Sequence, residues 1–459
     1  MRPSSSAFAL CLTFLSAALP AAETPRPNVV VLLVDDLGWG DVSSLNHGEV
    51  STPQIDRLAK TGVTFTSGYA TAPLCGPARA GFFSGVYPQR FGFVDNLGGI
   101  PTTQPLLPGM LRDAGYRTAL LGKWHSAGPM PHERGIFDET LCSHLSSPFI
   151  DYHHPKLARN GTVEVHEAYS TDLFAQEAIA FIDRHQASPF SLTVTFNAPH
   201  ILRVIKNAQL IQKDYDAAAA AGQILDVPKV PMARPGDAAK FSAQFPGDSA
   251  RADTVATIVA LDEAVGRILD KIQAVGLERK TLIFFFGDNG GHPENRSNSL
   301  PLRDYKWSLY EGGIRVPFLA AYPGVFPAGL SYAHPVSTLD ILPTVAALTG
   351  AKPPAQLDGV NLTPFLIGRQ KTPPHAALFF SIGGFGAVRQ DQWKLVLAPD
   401  GTPALFDLVR DFEEKRDLAS TEPDRVKELT TKWKSWRAQM PAPVPPAGKT
   451  KQTPRAPSE

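Results

Sequence analysis

Asn28-Val29-Val30-Val31-Leu32-Leu33-Val34 runs straight into Asp35-Asp36-Leu37-Gly38. After Asn28 the run is continuously apolar, short and rich in β-branched residues. It predicts a central parallel strand buried on both faces. Such strands occur where helices cover both sides of a sheet, so this one stretch fixes an α/β class. Asp35 and Asp36 then stand at the carboxyl end of the strand, the edge at which open α/β sheets take their ligands. An Asp-Asp pair there also serves as a turn or a cap.

Three further strands are expected to end the same way. Residues 117–121 lead into Gly122-Lys123-Trp124-His125, Phe190–Phe196 into Asn197-Ala198-Pro199-His200, and 281–286 into Gly287-Asp288-Asn289-Gly290-Gly291. Lys123 and His125 alternate at a strand end, which puts them on one side. Helices are expected at 52–62, with Thr52 as N-cap and Pro53 in the first turn, and at 107–115, 172–185, 253–275 and 340–349. Residues 127–169 carry many His, Pro and Ser without a period and are read as loops over the site. Residues 209–246 read as an insertion with helical pieces.

The 459 residues allow a large core and more than one domain. Lys+Arg and Asp+Glu balance at 44 each, so no bulk charge points to nucleic acid or to an acidic membrane. Anion binding must come from a local cluster. Arg2, an apolar run over 7–19 and Pro20-Ala21-Ala22 have the layout of a secretory signal peptide, residues 1–22, which predicts a secreted or periplasmic protein. No later stretch is apolar enough to cross a bilayer, so no membrane insertion is expected. Past that leader only Cys75 and Cys142 remain, too few for a disulfide framework. Cys142 is expected as a free core thiol.

Cys75 lies in Leu74-Cys75-Gly76-Pro77-Ala78-Arg79-Ala80-Gly81-Phe82-Phe83-Ser84-Gly85. Pro77 lacks an N–H and has a fixed φ, which suits the first turn of a helix. Cys75 therefore sits at a helix N-terminus, where free N–H groups and the dipole favour an anion. Arg79, one turn on, brings its planar fork to the same place.

The Cys75-x-Pro77-x-Arg79 core with its flanks resembles the signature of the type I (formylglycine-dependent) sulfatases of the alkaline phosphatase superfamily. Ala78 stands where Ser or Thr is usual. Gly-Lys-Trp-His at 122–125, Asn-Ala-Pro-His at 197–200, Asp-Asn-Gly-Gly at 288–291 and the Lys306-Trp307-Ser308-Leu309-Tyr310-Glu311-Gly312-Gly313 segment are similar to further motifs of that family, in the same order. The resemblance implies an alkaline-phosphatase-like fold: a large mixed, mostly parallel sheet sandwiched by helices. It also implies sulfate-ester hydrolysis, with Cys75 matured to formylglycine by a formylglycine-generating or anaerobic sulfatase-maturating enzyme. Asp35, Asp36, Asp288, Asn289 and residue 75 would hold a hard metal, Ca2+ before Mg2+, because oxygen donors suit those ions and zinc would want His or Cys. Arg79, Lys123 and Lys306 would bind the sulfate, His200 would protonate the leaving alcohol with help from Lys306, and His125 would act as base.

Secretion and Tyr87-Pro88-Gln89-Arg90-Phe91-Gly92 are similar to polysaccharide sulfatases acting on algal or host glycans. That implies a sulfated oligosaccharide desulfated in exo fashion, marine algal as first choice, with carrageenan, fucoidan, ulvan and glycosaminoglycan oligosaccharides all open. Candidate sugar contacts are Asp95, Asn96, Arg203, His292 and Arg303. Alternatives are a phosphate or phosphonate monoester hydrolase of the same superfamily and a catalytically dead glycan-binding protein. Residues 26–370 are expected as the catalytic domain. From about 371 to 440 the texture changes to short strands and one helix, a small antiparallel sheet with a cover. The tail at 441–459 has a disordered composition.

Overall fold

The structure, a computed structural model, describes residues 26–46, 48–143, 150–201 and 231–441. The leader, Arg203, most of the expected insertion and all but the first residue of the tail lie outside them. Its strands are β1 (Asn28–Val34), β2 (Val63–Phe65), β3 (Gly68–Tyr69), β4 (Arg117–Gly122), β5 (Glu139–Ser143), β6 (Lys156–Arg159), β7 (Thr162–Val165), β8 (Phe190–Phe196), β9 (Thr281–Gly287), β10 (Phe318–Ala321), β11 (Leu330–Tyr332), β12 (Val336–Ser337), β13 (Leu378–Ile382), β14 (Phe385–Gln390), β15 (Trp393–Leu397) and β16 (Pro403–Asp407).

Ten of these form one sheet in the order β11-β2-β10-β9-β1-β8-β4-β5-β6-β7. The stretch from β9 through β1, β8 and β4 to β5 is parallel throughout, and antiparallel strands close both flanks. β1 is central, as its composition requires, and every residue in it is buried. Its side chains alternate between two cores. Val30, Leu32 and Val34 pack with residues of helices Pro53–Thr61, Ser170–His185 and Ser249–Ala274. Val29, Val31 and Leu33 pack with residues of helices Cys75–Ser84, Leu107–Asp113 and Ile341–Thr349. Full burial of each such side chain contributes about 1.5–3 kcal/mol, so the two helical layers hold β1 at the centre of the sheet.

Two expectations change. Residues 127–169 are not only loops: β5, β6 and β7 extend the sheet there. β7 is an exposed edge strand, so it lacks the apolar run that marks a buried one. Helix Pro53–Thr61 starts where expected, but Thr52 does not cap it. The Thr52 hydroxyl instead bonds Ser43, and Asp262 of the long helix accepts from the N–H groups of Gln54 and Ile55 at 2.8–3.1 Å.

β13 to β16 form a four-stranded antiparallel sheet in chain order. One face packs on Tyr69, Leu309 and Ile314 of the main body. The other is covered by helix Pro423–Arg437 through Leu429 and Trp433.

Candidate active site

Strand register brings the chemistry together. Val34 of β1 pairs with Gly287 of β9, so Asp35-Asp36 and Asp288-Asn289 leave the sheet side by side. The Asp288 amide donates to the Val34 carbonyl at 2.9 Å, and the Asp36 amide to Asp288 Oδ1 at 3.2 Å. Gly122 of β4 pairs with Thr195 of β8, which sets Lys123 on the same edge. Beyond Gly122 the chain turns: Gly122 and His125 have φ of 107° and 60°. A turn, rather than strand alternation, thus carries Lys123 and His125.

Cys75 opens the helix Cys75–Ser84 beside these strand ends and is buried, as are Asp35, Asp36, Arg79, Lys123, Asp288, Asn289 and Lys306. Arg79 Nε donates to Asp288 Oδ2 and Nη1 to the Lys123 carbonyl, both at 2.8 Å, while Nη2 lies 3.6 Å from Asp35. Lys123 Nζ donates to Asp35. Lys306 Nζ donates to both Asp36 oxygens at 2.7 and 2.9 Å and lies 3.0 Å from Cys75 Sγ. His200 Nε2 is 3.6 Å from Asp36 Oδ2, and its Nδ1–H donates to the Ile201 carbonyl at 2.8 Å. Asn289 Nδ2 donates to Asp36 Oδ1 at 2.7 Å.

Charge and burial set the protonation states. Burial pushes the Asp35 and Asp36 carboxyls up, but Lys123 beside Asp35, Lys306 beside Asp36 and the other nearby cations hold both below the ordinary value. Burial, then Asp35, raises Asp288. Burial, with Lys123 and Arg79 adding to it, lowers His125, and burial takes His200 down to about 4. Burial lowers Lys306, but Asp36, Cys75, Asp35 and Asp288 together more than offset it, so Lys306 is raised. Burial drives the Cys75 thiol well up, so as a thiol it is a poor nucleophile.

The donor set fits a hard divalent cation. Asp35 Oδ1 and Asn289 Oδ1 are buried without hydrogen-bond partners, although such atoms cost about 1–3 kcal/mol when left unpaired. Ligand atoms of Asp35, Asp36, Cys75 and His200 all lie within 4.8 Å of one another. Carboxylate and amide oxygens predominate, which favours Ca2+ or Mg2+.

The proposed sugar contacts divide. His292 is buried beside the cluster, its ring 4.7 Å from Trp307 and 6.3 Å from His200. Asn96 Oδ1 accepts from the Gly76 amide at 3.0 Å and so caps the Cys75 helix. Asp95 is exposed, and its carboxylate closes its own turn on the amides of Leu97 and Gly98. The Arg303 guanidinium sits 3.8 Å over the Tyr310 ring and donates to the Glu414 carbonyl. Sequence reasoning missed the residues that hold His200. Tyr152 donates to the Asn197 and His200 carbonyls, Ser170 to Asn197, and Asn295 to the Pro199 carbonyl. None of them has a local signal, because each acts across the chain, Ser170 on the Asn197 side chain and the others on backbone carbonyls of the turn. Cys142 is free and buried, as expected.

The Sulfatase family model matches residues 27–351, most of the chain. The chain belongs to the sulfatase family. It is 32% identical to arylsulfatase A of Bos taurus over 429 residues, covering 83% of this chain and 77% of that one. It is also 32% identical to N-acetylgalactosamine-6-sulfatase of Rattus norvegicus over 401 residues, covering 78% and 69%. Among solved structures, Ps i-CgsB in complex with k-i-k-neocarrahexaose superposes with a TM-score of 0.80 at 29% identity, covering 91% of this chain and 94% of that one. This sulfatase is therefore a sulfuric ester hydrolase, and the large mixed sheet with its C-terminal antiparallel sheet is the fold of that family. Among the described residues no helix is long and apolar enough to cross a membrane.

Proposed function

We propose that this sulfatase removes sulfate in exo fashion from sulfated oligosaccharides, with a carrageenan-type oligosaccharide as the first substrate to try. The observation that carries the reading is the grouping of Arg79, Lys123 and Lys306 around a buried residue 75 and three carboxylates. Likeness to Ps i-CgsB with its bound neocarrahexaose supports the substrate class. The leader layout supports export to the periplasm or medium. Residues 26–370 form the catalytic part and 371–440 a subdomain that buttresses it.

Asp35, Asp36, Asp288 and Asn289 would hold Ca2+, which would supply Lewis-acid polarisation of the sulfate and the nucleophile. Cys75, buried 3.0 Å from Lys306 Nζ at the head of its helix, is the residue that a formylglycine-generating or anaerobic sulfatase-maturating enzyme would convert to formylglycine. The hydrate of that group would supply the attacking hydroxyl. Arg79, Lys123 and Lys306 bind the sulfate oxygens and stabilise the charge that grows on them. Lys306, kept protonated by Asp36 together with the other carboxylates around it, stands ready to give the departing alcohol its proton. His200, neutral with its proton on Nδ1, stands on the same side and would need to take up a proton before it could act as the acid. His125, a neutral buried imidazole with Nδ1 unpartnered, is the base.

Cys75→Ser tests these roles. The serine hydroxyl loses its proton to the base of the site as its oxygen bonds to sulfur, the sulfur–oxygen bond to the alcohol breaks, and the alcohol leaves with a proton from Lys306. The product is a seryl sulfate ester with no second hydroxyl to expel it. Peptide mass spectrometry after incubation with a sulfate ester is expected to find one sulfate on residue 75 and no turnover; sustained turnover by the variant contradicts the assignment.

A further inference from the structure

Lys306 reaches the site from segment 303–313, and that segment is tied to the C-terminal sheet by a buried charge network. Glu311 Oε1 accepts from Lys394 Nζ at 2.8 Å, and Oε2 from Tyr69 Oη at 2.7 Å and Arg315 Nη1 at 3.1 Å. Lys394, on β15, also lies 3.4 Å from Glu414 Oε1. Lys394, Glu311 and Glu414 have no solvent exposure. Glu414 grips both ends of the segment: its Oε2 accepts from the Glu311 amide at 2.7 Å, and its carbonyl accepts from Arg303 Nη1 at 3.0 Å.

The segment has little slack. The Gly312 amide donates to the Arg303 carbonyl at 2.7 Å, closing it on itself. A Cβ on Gly312 would lie 2.1 Å from the Asp304 carbonyl, and one on Gly313 2.0 Å from that of Ser308. A shift at Glu311 is therefore passed on to Lys306, whose amide is itself fixed to the Gly291 carbonyl at 3.0 Å.

We propose that Glu414 and Lys394, both supplied by the C-terminal region, are positioning residues that aim Lys306 at the oxygen of the departing alcohol. This rests on the role given to Lys306 above. A network that merely glued the small sheet to the body would alter stability and nothing else. One that aims a proton donor matters most when the departing oxygen needs a proton.

The test uses the matured full chain and two sulfate esters. The leaving oxygen of para-nitrophenyl sulfate needs no proton, whereas that of a sulfated carrageenan oligosaccharide does. Glu414→Ala is expected to lower kcat on the oligosaccharide about 100-fold and on the nitrophenyl ester no more than about fivefold, with KM for both nearly unchanged. Glu414→Gln, which still accepts from the Glu311 amide, is expected to restore kcat to within about threefold of wild type. Should the alanine variant not fold, Lys394→Met, which keeps most of the stem, is expected to give the same split between esters. Equal losses on both esters, or glutamine no better than alanine, overturn the inference while wild type stays active. Wild type inert on both esters instead takes down the role of Lys306, and the inference with it.

Discussion

Asp36 and His125 both adopt left-handed backbone, with φ of 61° and 60°, although neither is glycine. Such residues cost on the order of 1–3 kcal/mol and persist where the surroundings hold them. Here they turn the chain just past two neighbouring strand ends, at Asp36 after β1 and at His125 after β4. Gly122 makes the second bend possible. Its φ is 107°, and a Cβ there would lie 2.0 Å from the Thr195 carbonyl of the neighbouring strand. Gly122→Ala is therefore expected to lower stability by about 2 kcal/mol or more and to cut kcat/KM more than tenfold by displacing Lys123 and His125. Thermal melting and steady-state kinetics check it, and an alanine variant with wild-type values for both contradicts the bend. At this scale the sequence was informative where a side chain follows a buried strand, as for Asp35, Asp288 and Lys123. It carried no sign of the local partners of Arg303 and Asp95, an aromatic ring for the first and the residue's own turn for the second.

Whole elements were legible wherever one pattern dominated. Strands β1 and β8 and the start of the Cys75 helix fall where apolar runs and Pro77 put them. Caps supplied from afar were not, and Asp262 on the helix Pro53–Thr61 is one. The distant partners of Asp340 were hidden in the same way. That residue begins helix Ile341–Thr349 while its carboxylate accepts from the amides of Ser337 and Val360 and from His375 Nε2 at 2.8 Å. Burial lowers the pKa of His375, but Asp340 more than offsets this, so the folded value is raised. A histidine raised on folding stabilises fully below its unfolded value of about 6.5, and that contribution is lost as pH climbs through the folded value. Wild type is thus expected to lose stability as pH rises above about 6.5, and His375→Gln to lose that slope and about 3 kcal/mol at the acid end. Denaturant midpoints across pH decide it; equal slopes in the two proteins contradict the clamp.

The molecule as a whole brings together strand ends far apart in the chain, because parallel pairing of β9, β1, β8 and β4 aligns their carboxyl ends. Individual motifs were legible in the sequence; their meeting point was not, since register is a property of paired strands. The join between the two sheets was hidden for the same reason, as Glu311, Lys394 and Glu414 lie far apart along the chain yet share one buried network. The central claim is that this meeting point grips a sulfate ester. The most direct measurement is the rate of sulfate and phosphate release from paired esters of the same alcohol, by the full chain produced with its maturation enzyme. The account predicts rapid sulfate release that Cys75→Ala abolishes, with phosphate release far slower. Faster phosphate release, or no sulfate release from a chain whose residue 75 is fully converted, would contradict it.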